Sequence, residues 1–276
     1  MQYSPTGVNN TITMHVSVIL STYNRAKCLE LSLLGYMRQT HKDFEVVIAD
    51  DGSTDGTQGL IERYQKLASF PIRHVWQENK GYRRAKILNE AIKLARHDYL
   101  IFSDGDCIPK GDFIEAHVKN AQKGYFLGGG HVRLTKDYSA DLTPEAVGQG
   151  LYEQTLTPEH LWNLRLKQWK NLFYTLVGKK RRPKFIGLNI SADRRSVFEI
   201  NGFDENYEGW GQEDSDLRER LKRWGLRPRS ILTQAIVFHL YHEPHSTKAR
   251  RPNLAYSRRS DIPIRCVNGL EKEVGV

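Results

Sequence analysis

The sequence predicts an α/β protein with a mostly parallel central sheet flanked by helices, and two observations carry that prediction. From Val16 to Phe102, short apolar runs alternate with stretches of helical periodicity, the pattern of strands joined by crossover helices. Polar clusters then follow the first, second and fourth of those runs. Open α/β sheets bind ligands just outside the carboxyl ends of their strands, so three clusters converge on one edge.

Taken in order, the strands are expected at 16–20, 44–49, 72–76 and 99–102. Ser21-Thr22-Tyr23-Asn24 closes the first, Asp50-Asp51-Gly52-Ser53 the second and Asp104-Gly105-Asp106 the fourth. A further strand at 125–134 carries Gly128-Gly129-Gly130, after which residues 135–158 turn polar and read as an inserted loop. Residues 160–184 read as an amphipathic helix with Trp162, Leu166, Trp169 and Phe173, running into a basic stretch from Lys179 to Lys184. A last block at 185–242 has turn glycines at Gly202, Gly209 and Gly211 and a strand at 235–238. This divides the chain into one domain at 14–243 and a basic tail at 244–276. Within the domain the pattern separates 14–134, an insertion at 135–184 and a final block at 185–243.

Forty-one Lys and Arg against thirty-two Asp and Glu give a net charge of +9, which suits an anionic partner: nucleic acid, a phosphorylated substrate or an anionic membrane surface. No recognised nucleic-acid motif accompanies the basic segments, so nucleic acid is not expected. Cys28, Cys107 and Cys266 are odd in number and lack a CxxC spacing, which argues against a disulfide framework or a zinc site. No signal-peptide pattern and no run of about 18 apolar residues occurs. The expected location is cytoplasmic, with room for peripheral contact on the inner face of the plasma membrane.

Asp104-Gly105-Asp106 places two carboxylates at the mouth of a buried strand, a setting that suits a hard divalent cation shared with substrate phosphates. Asp50-Asp51-Gly52-Ser53-Thr54-Asp55 begins like a calcium loop, but Ile61 stands where the twelfth-position Glu belongs, which excludes calcium. A carboxylate there can instead accept the imide N–H of a uracil ring. Gly81-Tyr82-Arg83-Arg84-Ala85-Lys86 opens a helix with three cations, a pyrophosphate-binding arrangement. There is no GxGxxG after the first strand, so NAD is not expected. Gly209-Trp210-Gly211-Gln212-Glu213-Asp214 puts two carboxylates at a helix start beside an indole. That combination provides a general base and a platform for a sugar face. His239 and His242, three apart at the end of the last strand, are candidate metal ligands.

Together the segments from Val16 to Arg25, Asp50 to Asp55, Asp104 to Asp106 and Gly209 to Asp214 resemble the family 2 glycosyltransferases. The final block resembles the C-terminal region of β-1,4-galactosyltransferases and of chondroitin-polymerase-type enzymes. The resemblance implies a GT-A fold, a UDP-sugar donor, inversion at the anomeric carbon and a Mn²⁺ or Mg²⁺ cofactor. Carried over by position, Asp51 reads the uracil and Ser21 and Tyr23 line the nucleoside pocket, with Arg25 among the donor contacts. Arg84 and Lys86 lie near the diphosphate, although Leu88 stands where many relatives carry Arg. Asp104 lies near the ribose and metal, and Asp106 ligates the metal with His239 or His242. Glu213 holds sugar hydroxyls, Asp214 is the base, and Gly187, Asn189, Trp210 and Gly211 surround the sugar. A single base without a second catalytic carboxylate fits transfer better than hydrolysis. The expected acceptor is a saccharide or a lipid-linked glycan; the competing reading is a non-catalytic nucleotide-sugar or glycan-binding protein.

Overall fold

The computed structural model describes residues 14–179, 182–243 and 252–272. Its first half runs β1 (Val16–Thr22), α1 (Ala26–Met37), β2 (Phe44–Asp50), α2 (Thr57–Leu67), β3 (Ile72–Trp76), α3 (Arg84–Leu94) and β4 (Tyr99–Asp104). These four strands pair in parallel in the order β3-β2-β1-β4. The inner three, β1, β2 and β4, read as nearly continuous apolar runs because both faces are covered, whereas the edge strand β3 is partly exposed. Period-two alternation divides their side chains between two cores: Val16, Val18, Val46, Ile48 and Ile101 on one face, Ile19, Val47, Ala49, Leu100 and Phe102 on the other. The register sets Thr22 beside Asp50 and Ser21 beside Asp104, which aligns the three polar clusters on one edge.

The chain continues through β5 (Cys107–Pro109), α4 (Phe113–Asn120), β6 (Tyr125–Arg133), α5 (Lys136–Asp141), α6 (Pro144–Gln149) and α7 (Pro158–Leu176). It ends with β7 (Asn189–Asp193), α8 (Arg194–Glu199), α9 (Glu213–Trp224) and β8 (Arg227–His239). The full sheet has eight strands in the order β3-β2-β1-β4-β7-β6-β8-β5, with β7 and β5 antiparallel to their neighbours. The short strands β5 and β7 were not expected from the pattern. β8 also begins at Arg227, well before residue 235, because a register shift at Gly129/Gly130 divides its pairing with β6 into two segments. Glycines are needed there: a Cβ on Gly130 would meet the Leu232 carbonyl oxygen at 2.1 Å, and one on Gly128 the Phe185 ring.

One buried hydrogen-bonded chain locks β7 in place. Burial lowers the His117 pKa to about 4, so the ring is neutral. Its Nε2–H donates to Asn189 Oδ1 at 2.9 Å, and Nδ1 accepts from Ser191 Oγ at 2.8 Å, which is itself 2.8 Å from the Tyr99 hydroxyl. The Asn189 amide nitrogen donates to the carbonyls of Gly130 and Ala235 at 2.8 and 3.1 Å. This network joins α4, β4, β6, β7 and β8.

Residues 135–158, expected as a loop, hold two six-residue helices and a 3₁₀ turn. Thr135 and Thr143 cap the helices, and Leu142, Val147 and Tyr152 enter a third core with Leu164 and Phe238. Helices so short show no periodicity to read. The helix expected at 160–184 starts at Pro158, capped by Thr157, and stops at Leu176, with Gly178 in the left-handed region at φ +61. Lys180, Arg181, Lys248, Arg250 and Arg251 lie outside the described residues. The described part of the tail packs on the domain through buried Ile262, Cys266 and Leu270. Asn253 donates to the carbonyls of Gly209 and Gly211. Among the described residues, no helix is long and apolar enough to cross a membrane.

Candidate active site

The strand ends and two helix N-termini meet around Arg84, the first residue of α3. Its Nε donates to Ser21 Oγ at 3.1 Å and one terminal nitrogen to Asp104 at 2.7 Å. The other lies 2.8 Å from Asp214 and 3.2 Å from Glu213. Burial opposes the charge, but Asp214, Asp104 and Glu213 raise the Arg84 pKa well above the ordinary guanidinium value. Asp104 is likewise opposed by burial, yet the Arg84 charge and the Ser21 hydrogen bond at 2.7 Å bring its pKa below the usual carboxylate value. Arg84 therefore faces carboxylates, and its guanidinium gathers three acids from β4 and α9.

The α9 start is shaped by two left-handed residues, Gly211 at φ +95 and Gln212 at φ +80, with the Gly209 N–H donating to the Tyr82 carbonyl at 3.0 Å. That bond ties the α9 turn to the entry of α3. Glu213 and Asp214 then fall in the first helical turn, where the backbone dipole favours negative charge. For Glu213 burial outweighs that help. Desolvation, together with the neighbouring Asp214 charge, raises its pKa to about 7 against the pull of Arg84. Its Oε2 is buried without a hydrogen-bond partner. Asp214 is only half-buried, and Gly187 packs directly on it: a Cβ at Gly187 would lie 2.0 Å from the carboxylate.

Beside this cluster, Asp106 faces His239 and His242. Asp106 Oδ1 lies 3.7 Å from His239 Nε2 and Oδ2 lies 3.3 Å from His242 Nε2, with the two rings 5.1 Å apart. Burial lowers the His239 pKa, favouring the neutral imidazole that a metal requires. Arg25 already places a cation on Asp106, at 2.5 Å. A carboxylate, a neutral imidazole and a cation-accepting geometry fit a divalent ion. Cys107 also comes within reach of Asp106 and His239. Burial raises that thiol's pKa well above its ordinary value, which disfavours the thiolate.

The remaining expected residues spread outward. The oxygens of Asp51 accept from Gln77 Nε2 at 2.5 Å and from the Arg83 backbone N–H at 2.9 Å, and burial raises its pKa. The Tyr23 hydroxyl accepts from Asn79 at 2.7 Å at the exposed rim. Lys86 was expected beside the diphosphate, but two residues after Arg84 it is turned about 200° away from the cluster around α3 and is exposed, while Leu88 is buried in the core. Trp210 is half-buried in the turn before α9. Asn189 was expected beside the sugar, but its amide oxygen and both amide hydrogens are taken up by His117, Gly130 and Ala235; it supports the sheet beneath the site. The sequence reading missed Arg84 as the point of convergence, because nothing in a basic helix start tells which carboxylates, some 20 to 130 residues away, it meets.

The glycosyl transferase family 2 model matches residues 17–177, more than half of the chain. The chain belongs to glycosyltransferase family 2. This family 2 glycosyltransferase also matches the model described as the N-terminal domain of galactosyltransferase, over residues 170–243. It is 31% identical to validoxylamine A glucosyltransferase of Streptomyces hygroscopicus subsp. jinggangensis (strain 5008), over 84% of this chain and 57% of that protein. It is 24% identical to chondroitin synthase of Escherichia coli, over 81% of this chain and 34% of that one. The chain thus spans between a third and three-fifths of the length of these relatives. Among solved structures, the mannosyltransferase PcManGT from Pyrobaculum calidifontis, in complex with GDP-Man and Mn²⁺, superposes with a TM-score of 0.60 at 22% identity. That match covers 86% of this chain and 59% of that one. Residues 1–349 of Staphylococcus aureus TarS in complex with UDP superpose at 0.58 with 19% identity, covering 82% and 60%. These likenesses show the fold, which is GT-A.

Proposed function

We propose that this glycosyltransferase is inverting and metal-dependent, moving a hexose or N-acetylhexosamine from a UDP-sugar to a saccharide or lipid-linked glycan in surface polysaccharide synthesis. The observation that carries this reading is the unequal pair at the start of α9: Glu213 buried with an orphaned Oε2, and Asp214 beside it and more open. A buried oxygen without a partner is costly unless a ligand supplies one, and a sugar hydroxyl suits it. Asp214 removes the proton of the acceptor hydroxyl as that oxygen attacks the anomeric carbon. The new carbon–oxygen bond forms as the bond to UDP breaks on the opposite face, so one displacement inverts the centre. Arg84 holds Asp104, Glu213 and Asp214 in register, which keeps the base oriented without motion during the step. Asp51, Ser21 and Tyr23 are the nucleoside contacts of this reading, and Arg25 adds positive charge on the diphosphate side.

Asp106 with His239 or His242 would hold Mn²⁺ or Mg²⁺, which when bound supplies neutralisation of the charge growing on the departing diphosphate. The Mn²⁺ of PcManGT and the UDP and UDP-GlcNAc complexes of TarS support a divalent ion and a nucleotide-diphosphate donor.

The test is a donor screen by UDP release with Mn²⁺ or Mg²⁺, followed by the mass of the product. Asp214→Asn should lose transfer while keeping UDP binding by calorimetry. Full turnover by Asp214→Asn refutes the base assignment, and donor binding by the parent without UDP release favours the non-catalytic reading.

A further inference from the structure

Helix α7 is built the wrong way round for a core helix. Its apolar stripe, Trp162, Leu166, Trp169, Phe173 and Leu176, recurs at intervals of three and four residues and so lies on one face. A stripe of that kind ordinarily turns inward. Here Trp162 is 52% exposed, Trp169 58%, Phe173 59% and Leu176 71%. The other face makes the contacts with the sheet: Leu164 is buried, Asn171 donates to Ser230, and Gln168 accepts from Thr233. The outward stripe therefore has no use within the described fold, and α7 offers it along about 21 Å.

The charge around the stripe is one-sided. Lys170, Lys179 and Arg182 converge on the Tyr174 ring, their cationic groups 5.9, 4.9 and 5.6 Å from its centre. Lys170 and Lys179 are exposed. None of the three forms an ion pair with a described carboxylate. Indoles and a phenyl ring beside paired cations are what an amphipathic helix lying in a bilayer interface presents. A protein partner is a poorer match, because interface cores deplete lysine. A bilayer lets the stems lie along apolar surface while the ammonium groups reach the phosphates.

We propose that the outer face of α7 docks on an anionic lipid bilayer, with Trp162, Leu166, Trp169, Phe173 and Leu176 in the interface and Lys170, Lys179 and Arg182 on the headgroups. Vesicle binding needs no turnover, so this inference and the transfer reading can fail independently.

The experiment is flotation of the 276-residue chain with vesicles of mixed phosphatidylglycerol and phosphatidylcholine, against phosphatidylcholine alone. Binding to the mixed vesicles, weakened by salt, is expected, with about a tenfold or greater loss in the triple variant Trp162→Ser/Trp169→Ser/Phe173→Ser. Brominated acyl chains should quench the parent's fluorescence but not that of the variant. The substituted residues are exposed, so circular dichroism and UDP release with a soluble acceptor should match the parent. No binding to the mixed vesicles, equal binding by the triple variant, or a sedimenting dimer that the variant abolishes overturns the proposal.

Discussion

Replacing Glu213 by Gln isolates a carboxyl whose protonation burial and its neighbours set. Its pKa moves from 4.5 to about 7 because burial and the Asp214 charge outweigh Arg84. Below pH 4.5 the group is protonated in the folded and unfolded chains alike. Between 4.5 and about 7 the unfolded chain releases a proton that the folded chain retains, so folding loses free energy as pH rises. The Glu213 contribution is thus fully present below pH 4.5 and lost as pH rises through about 7. The full difference corresponds to about 3 kcal/mol. Glutamine has the shape of the neutral acid and does not ionise, so any cost of an unpartnered buried atom is common to both. Urea unfolding of parent and variant at a series of pH values measures this. Titrating groups outside the cluster of Glu213, Asp214 and Arg84 cancel in the difference between the two proteins. Glu213→Gln should gain on the parent by about 2–3 kcal/mol between pH 5 and pH 8. A difference that stays flat across that range refutes the account of Glu213.

Two further substitutions probe geometry. Gly187→Ala puts a Cβ 2.0 Å from the Asp214 carboxylate, which must shift by more than an ångström; turnover should fall about 100-fold with UDP affinity nearly unchanged, as kcat and calorimetry would show. Asn189→Ala removes the acceptor of His117 Nε2 and the side-chain donor to the carbonyls of Gly130 and Ala235. A loss of about 2–4 kcal/mol is expected from the urea midpoint, and a change below 1 kcal/mol would remove Asn189 from its supporting role.

The parallel half of the sheet was legible because strands covered on both faces must be largely apolar, as 16–20 and 44–49 are apart from Ser17 and Glu45, which pair with each other. The carboxylate clusters were legible for a related reason: polar residues directly after such runs can only lie at the strand ends. β7 was not, since Asn189-Ile190-Ser191-Ala192-Asp193 is half polar, and its buried polar side chains are satisfied by His117 and Tyr99 from distant elements. Asn189 looked like a ligand contact for the same reason. Polarity marks a residue as needing a partner without saying whether the partner is sugar or protein.

Sequence by itself determined the α/β class and the edge where the acids gather, because those follow from local pattern and spacing. Tertiary structure alone decided that Arg84 binds Asp104, Glu213 and Asp214 together, that Glu213 is the buried member of its pair, and that the α7 stripe faces outward. Each of these depends on which surfaces meet across the fold. Burial, charge pairing and exposure are properties of those meetings and cannot be read from any residue's neighbours along the chain.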